Sequence, residues 1–127
     1  MNKQYIFAVV LIGALVALIG WARANKEPVT SIYDSFTQCV ADSGATFYGA
    51  FWCPHCISQK KEVESAAQYY PYVECSTPDR QGQMKVCADA GITSYPTWEF
   101  ADGTRESGHI PLETLSEKTG CSLPTAG

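Results

Sequence analysis

From Tyr5 to Ala22 the chain runs YIFAVVLIGALVALIGWA without one charged side chain, and no later stretch repeats that pattern. About 18 such residues, each rising about 1.5 Å, just cross a hydrocarbon layer roughly 30 Å thick, which predicts one membrane-spanning helix. Trp21 would then lie at an interface, where aromatic side chains are favoured. Lys3 precedes the run and Arg23 and Lys26 follow it, so flanking charge leaves the orientation open. A cleaved signal peptide is the competing reading, because Ala22-Arg23-Ala24 has the small-x-small form of a site cut after Ala24. The run is longer than the roughly 7–15 apolar residues of a signal core, and this favours the anchor. Residues 1–24 are expected to be a membrane anchor or signal peptide, 25–30 a polar linker, and 31–127 one domain.

Within that domain the apolar spacing changes repeatedly. Ile32, Phe36, Cys39 and Val40 recur at helical intervals after a possible cap at Thr30 or Ser31, and Gly44 closes the segment. Ala45 to Trp52 is aromatic and β-prone, a buried strand. Pro54 suits a helical first turn, and a helix is expected from Cys53 to Tyr69 with Val63, Ala66 and Ala67 inward. A short strand over 72–75, a polar stretch over 76–83 and a short helix over 84–90 follow. Thr97–Phe100 and Arg105–Ile110 read as strands joined by an Asp-Gly turn, and 112–119 as a last helix stopped by Gly120. This order predicts an α/β fold, a mixed sheet of about four strands with helices on both faces.

Composition narrows the function. A net charge of -4 with no Lys/Arg cluster gives no footprint for nucleic acid. Six cysteines beside an export-like leader point to a compartment that permits disulfides, so the domain is expected outside the cytoplasm.

Cys53-Pro54-His55-Cys56 lies where a strand meets a helix. Free N–H groups and partial positive charge at a helix N-terminus favour a thiolate, the attacking species in disulfide exchange. Cys53 is expected to be the exposed nucleophile. Cys56, one turn on, is the shielded resolving thiol. A cationic His55 and a stiff Pro54 would favour the reduced form and make the disulfide more oxidising. A Cys-x-x-Cys can also be half a zinc site, but Cys75 and Cys87 are not similarly spaced and the only histidines are His55 and His109. No metal and no cofactor beyond the Cys53–Cys56 disulfide are expected.

Phe51-Trp52-Cys53-Pro54-His55-Cys56, with Gly91-Ile92-Thr93-Ser94-Tyr95-Pro96-Thr97 further on, resembles the active site and cis-proline loop of the thioredoxin superfamily. The resemblance implies that Tyr95, Pro96 and Thr97 offer backbone to an extended substrate, with a cis bond at Pro96. Trp52, beside the nucleophile, is expected on the recognition surface, and Trp98 in the core. Tyr48–Cys56, Pro71–Ser76 and Gly91–Trp98 are similar to the thioredoxin-like domain fused to bacterial homologues of vitamin K epoxide reductase. In that family the domain oxidises exported proteins and passes electrons to a quinone-linked membrane reductase, and this chain would be a stand-alone version with its own anchor. The related domains carry a pair matching Cys75 and Cys87, which implies a disulfide closing the polar 76–83 loop and stabilising by about 2–3 kcal/mol. Cys39 and Cys121 would tie the domain's ends together if paired; two free thiols or a link between chains are the alternatives.

One departure matters. Thioredoxins carry a buried aspartate on the strand before the cysteines, and here that position is Phe47. The proton route of the resolving thiol is left open, and Glu62 and Glu64 read as solvated helix residues rather than substitutes. The leading expectation is a dithiol oxidase acting on thiols of exported proteins and reoxidised by a membrane partner, of the epoxide-reductase type or another. An extracytoplasmic reductase or isomerase is the alternative enzyme, and a non-catalytic binding module the alternative class.

Overall fold

The computed structural model describes residues 2–26 and 28–125. Met1, Glu27, Ala126 and Gly127, which belong to the expected leader, linker and domain end, lie outside the described residues. The apolar run is one helix, α1 (Lys3–Ala24), 22 residues long with none buried. It is long and apolar enough to cross a membrane, as signal sequences can also be.

The remaining elements follow in the order α2 (Asp34–Asp42), β1 (Thr46–Gly49), α3 (Pro54–Lys61), a 3-10 helix (Glu64–Tyr69), β2 (Tyr72–Glu74), α4 (Lys85–Asp89), β3 (Thr97–Glu99), β4 (Arg105–Ser107) and α5 (Leu112–Thr119). The four strands form one mixed sheet in the order β2-β1-β3-β4. β1 pairs parallel to β2 and antiparallel to β3, and β3 pairs antiparallel to β4.

Strand alternation assigns the two faces. Phe47 stands opposite Tyr72 on one side and Trp98 on the other. These rings meet Phe36 and Val40 of α2, Cys56 of α3 and Leu115 of α5 in the main core. Tyr48 and Val73, pointing the other way, pack on Cys75, Cys87 and Ile92, so α4 covers the second face. Phe47 and Trp98 stack at 4.5 Å between ring centroids, and both are fully buried.

Two disulfides are present, Cys39–Cys121 and Cys75–Cys87. The first joins α2 to the residue after Gly120 and spans 82 positions; the second spans 12.

Several elements differ from expectation. The helix predicted over Cys53–Tyr69 ends at Lys61, and Glu64 has φ of +54°, a left-handed conformation that an α-helix cannot contain. A 3-10 helix then carries Ala66 inward, so Val63 and Ala66 are still fully buried. Glu64 therefore leaves the helix it was assigned to, and accepts a hydrogen bond from Ser31. Ile32 is 70% exposed because α2 begins only at Asp34; Thr37 takes the inward place instead. No side chain caps α2, whose first flanking residue is Tyr33 rather than Thr30 or Ser31. The strand expected over 45–52 stops at Gly49 and the one expected over 105–110 at Ser107, where Gly108 turns with φ of +88°.

Beyond β4 the chain is held by a side chain. Gln59 of α3, fully buried, donates from Nε2 to the Ile110 carbonyl at 3.0 Å and accepts from the Ile110 N–H at 2.9 Å. His109 is exposed and pairs with Glu62 at 2.9 Å.

Candidate active site

β1 ends one turn before the cysteines, and the Cys53 N–H donates back to the Ala50 carbonyl at 3.0 Å. Cys53 is the extended residue that flanks α3, with Pro54 in the first helical position, where its missing N–H removes no helical bond. Among the described residues Cys53 and Cys56 are the only thiols left free, the other four cysteines being joined in pairs.

Both residues are buried, Cys56 entirely and Cys53 to all but 6%. The expectation of an exposed Cys53 is thus corrected to a narrow opening. The Tyr95 carbonyl lies across it, accepting from Cys53 Sγ at 3.5 Å. The Tyr95–Pro96 peptide is cis. Pro96 and Thr97 are buried, and the Pro96 carbonyl already accepts from Gly108 N–H at 2.8 Å. Tyr95 is half-buried and Gln83 donates to its hydroxyl at 2.9 Å.

Trp52 is 40% exposed, stands edge-on to Tyr95 and donates from its indole to Ser76 Oγ at 2.7 Å. Pro54 and His55 are exposed beside it. Trp52, Tyr95 and Cys53 therefore come together, with His55 exposed next along the chain and Pro96 and Thr97 buried after Tyr95. Among the described residues, no group of three or more His, Cys, Asp or Glu is placed to hold a metal ion. A separate cleft of about 380 Å³ is lined by Tyr33, Glu62, His109, Pro111, Leu112 and Glu113, and includes neither free cysteine.

Behind Cys56 lies a polar group that the sequence reading did not single out. Tyr72 donates to Glu74 Oε2 at 2.8 Å, and Glu74 Oε1 accepts from the N–H groups of Phe51 at 3.3 Å and Ser76 at 2.9 Å. Lys60 Nζ sits 3.3 Å from the centre of the Tyr72 ring. Two spacings could have revealed it: Lys60 follows Cys56 by one helical turn, and Tyr72 and Glu74 share a strand face.

Burial pushes the Cys56 thiol up from its ordinary 9.0 to about 12; the Ala50 backbone draws it back, Cys53 adds to the rise, and Lys60 opposes it. Burial lowers Lys60, against the pull of Glu74 and Cys56. Burial and the bond to Glu74 raise Tyr72. A thiol whose folded pKa is raised contributes stability that is whole below pH 9 and is lost as pH climbs towards 12. The disulfide form has no such thiol, while Tyr70 and Tyr72 are common to both forms. The reduced protein is therefore expected to lose stability relative to the oxidised one between pH 9 and pH 12, seen in paired urea midpoints. Parallel pH dependence of the two forms would contradict a buried, neutral Cys56.

Residues 28–118 match the family model described as Thioredoxin. The chain is 48% identical over 88 residues to thiol-disulfide oxidoreductase LTO1 of Arabidopsis thaliana, which covers 65% of this chain and 23% of that protein. It is 25% identical over 75 residues to mycoredoxin 1 of Corynebacterium glutamicum, 59% of this chain and 92% of that protein. The chain thus spans under a quarter of the length of its Arabidopsis relative.

Proposed function

Because the chain belongs to the thioredoxin family, we propose that it is a thiol–disulfide oxidoreductase, working outside the cytoplasm as a dithiol oxidase of exported proteins. One observation carries this reading: four cysteines are closed into disulfides, and the one pair left open is the Cys-x-x-Cys at a helix start. Closed structural disulfides fit an oxidising compartment, and α1 supplies a means of staying at its membrane.

In the proposed cycle a substrate thiolate attacks Cys53 Sγ of the Cys53–Cys56 disulfide. The bond between the two cysteines breaks, and Cys56 leaves with the electron pair and takes up a proton. A second substrate thiol, deprotonated, then attacks the substrate sulfur bound to Cys53 and releases the Cys53 thiolate. Two electrons have passed from substrate to the dithiol, and a membrane-embedded reductase of the vitamin K epoxide reductase type is the proposed acceptor. Trp52 and the Tyr95–Pro96 backbone frame the approach to Cys53 and hold an extended chain against it.

The deciding measurement is the reduction potential of the Cys53–Cys56 couple, by equilibration of the full chain with glutathione. A value of about -120 to -180 mV is expected, the range of disulfide-making and isomerising enzymes. A value near about -270 mV would match thioredoxin itself and turn the reading to a reductase.

A further inference from the structure

Resolution of a mixed disulfide requires Cys56 to lose a proton, and its formation from the oxidised enzyme requires Cys56 to gain one. Phe47, on β1 where the family resemblance implies an acid, is a buried ring stacked on Trp98 and can do neither. The polar groups that act on Cys56 are Cys53 at the start of α3, Lys60 one turn along α3 and Tyr72 on β2, with Glu74 bonded to Tyr72 behind them.

Gly49 shows how closely they meet. A Cβ at that position would lie 3.0 Å from Cys56 Sγ, 2.8 Å from Tyr72 Cε2 and 3.4 Å from the Tyr72 hydroxyl, so sulfur and ring both line the bare backbone of Gly49, less than about 6 Å apart. Lys60 covers the same ring at 3.3 Å from its centre. Glu74 is fixed by three donors, the Tyr72 hydroxyl and the Phe51 and Ser76 amides, which holds its charge in place behind the pair. An ammonium, a phenol and a carboxylate thus lie together behind the resolving sulfur.

Resting on the function proposed above, we propose that Lys60, positioned by Tyr72 and Glu74, is the group through which Cys56 gains and loses its proton. When Cys56 leaves as a thiolate, Lys60 Nζ gives it a proton, becomes a neutral amine and is reprotonated from water, which its half-exposed position permits. In resolution the neutral amine takes the Cys56 proton, the thiolate attacks Cys53 Sγ, and the substrate sulfur departs with the electron pair. The lowered affinity of Lys60 for its proton suits this exchange.

The test uses the reduced full chain mixed with a chromogenic aryl disulfide. The first release of chromophore reports attack by Cys53, the second resolution by Cys56, and the four bonded cysteines stay silent. Lys60→Met is expected to slow the second phase at least about tenfold at neutral pH, shift its pH profile upward, and leave the first phase within about twofold. A circular-dichroism spectrum and urea midpoint close to the parent's show that the variant is folded. Lys60→Arg keeps the charge but does not give up its proton, so its second phase is expected to stay slow. Full rescue by arginine, or a second phase in Lys60→Met with the parent's rate and pH profile, would overturn the role of Lys60. A parent protein with no second phase would instead overturn the reading of Cys56 as resolving thiol.

Discussion

Replacing Cys53 by alanine is expected to abolish disulfide exchange, a loss of at least about a thousandfold, because no other free thiol reaches the opening beside Tyr95. Cys56 has no exposed surface to meet a substrate in its place. Its own replacement has a different outcome. Cys56→Ala leaves Cys53 able to form the adduct but removes the neighbouring sulfur that can return to Cys53 and expel the substrate, so mixed disulfides with substrate are expected to accumulate. Turnover assays on both variants, with non-reducing gels for trapped species, separate the two roles. If Cys56→Ala loses all activity without trapped adducts, Cys53 is not the attacking thiol. Substantial turnover by Cys53→Ala would remove the site from the mechanism altogether.

The second large effect falls on Phe47. Its ring stacks on Trp98 at 4.5 Å and meets Tyr70 and Tyr72 edge-on at 5.8 and 5.2 Å, in a cluster closed to solvent. Phe47→Asp, which restores the acid implied by the family resemblance, is expected to cost more than about 4 kcal/mol. Loss of a buried phenyl alone costs about 3–5 kcal/mol. A carboxylate set among rings must in addition shed its water or take a proton. For a domain whose whole stability is of order 5–15 kcal/mol, much of the margin would go. Urea unfolding of the variant beside its parent measures this, and a difference under about 1 kcal/mol would mean that the aromatic cluster readily rearranges around an acid. The tolerance for an acid has been lost from the packing of β1, β2 and β3 together, so charge for Cys56 has to come from elsewhere.

Much of this was legible in the sequence. The leader was plain because nothing in it from Tyr5 to Ala22 is charged, and the mixed sheet could be anticipated because short β-prone runs alternate with helical ones. Cys53, Cys56 and the Tyr95–Pro96 loop stood out because thiol chemistry needs particular residues at close spacing. What was not legible depended on contacts distant in sequence. Gln59 reads as one more polar helix residue, yet it reaches the Ile110 backbone 51 positions away. Glu74 was passed over in favour of Glu62 and Glu64 because its importance comes from the Phe51 amide, which only folding brings near. The break after Lys61 was hidden too, since Glu64 is an ordinary helix former and its left-handed backbone is set by tertiary packing.

The Cys39–Cys121 disulfide has a mechanical consequence. All four strands, both free cysteines and the second disulfide lie between its two ends in the chain. Any pull applied through the N-terminal segment on one side and the C-terminal segment on the other passes directly across the sulfur–sulfur bond. The hydrogen bonds of the sheet carry none of that load. A domain tugged by a tether at one end and a captured substrate at its centre can yield at α2, but the segment between 39 and 121 cannot be drawn out to its full length while that bond holds.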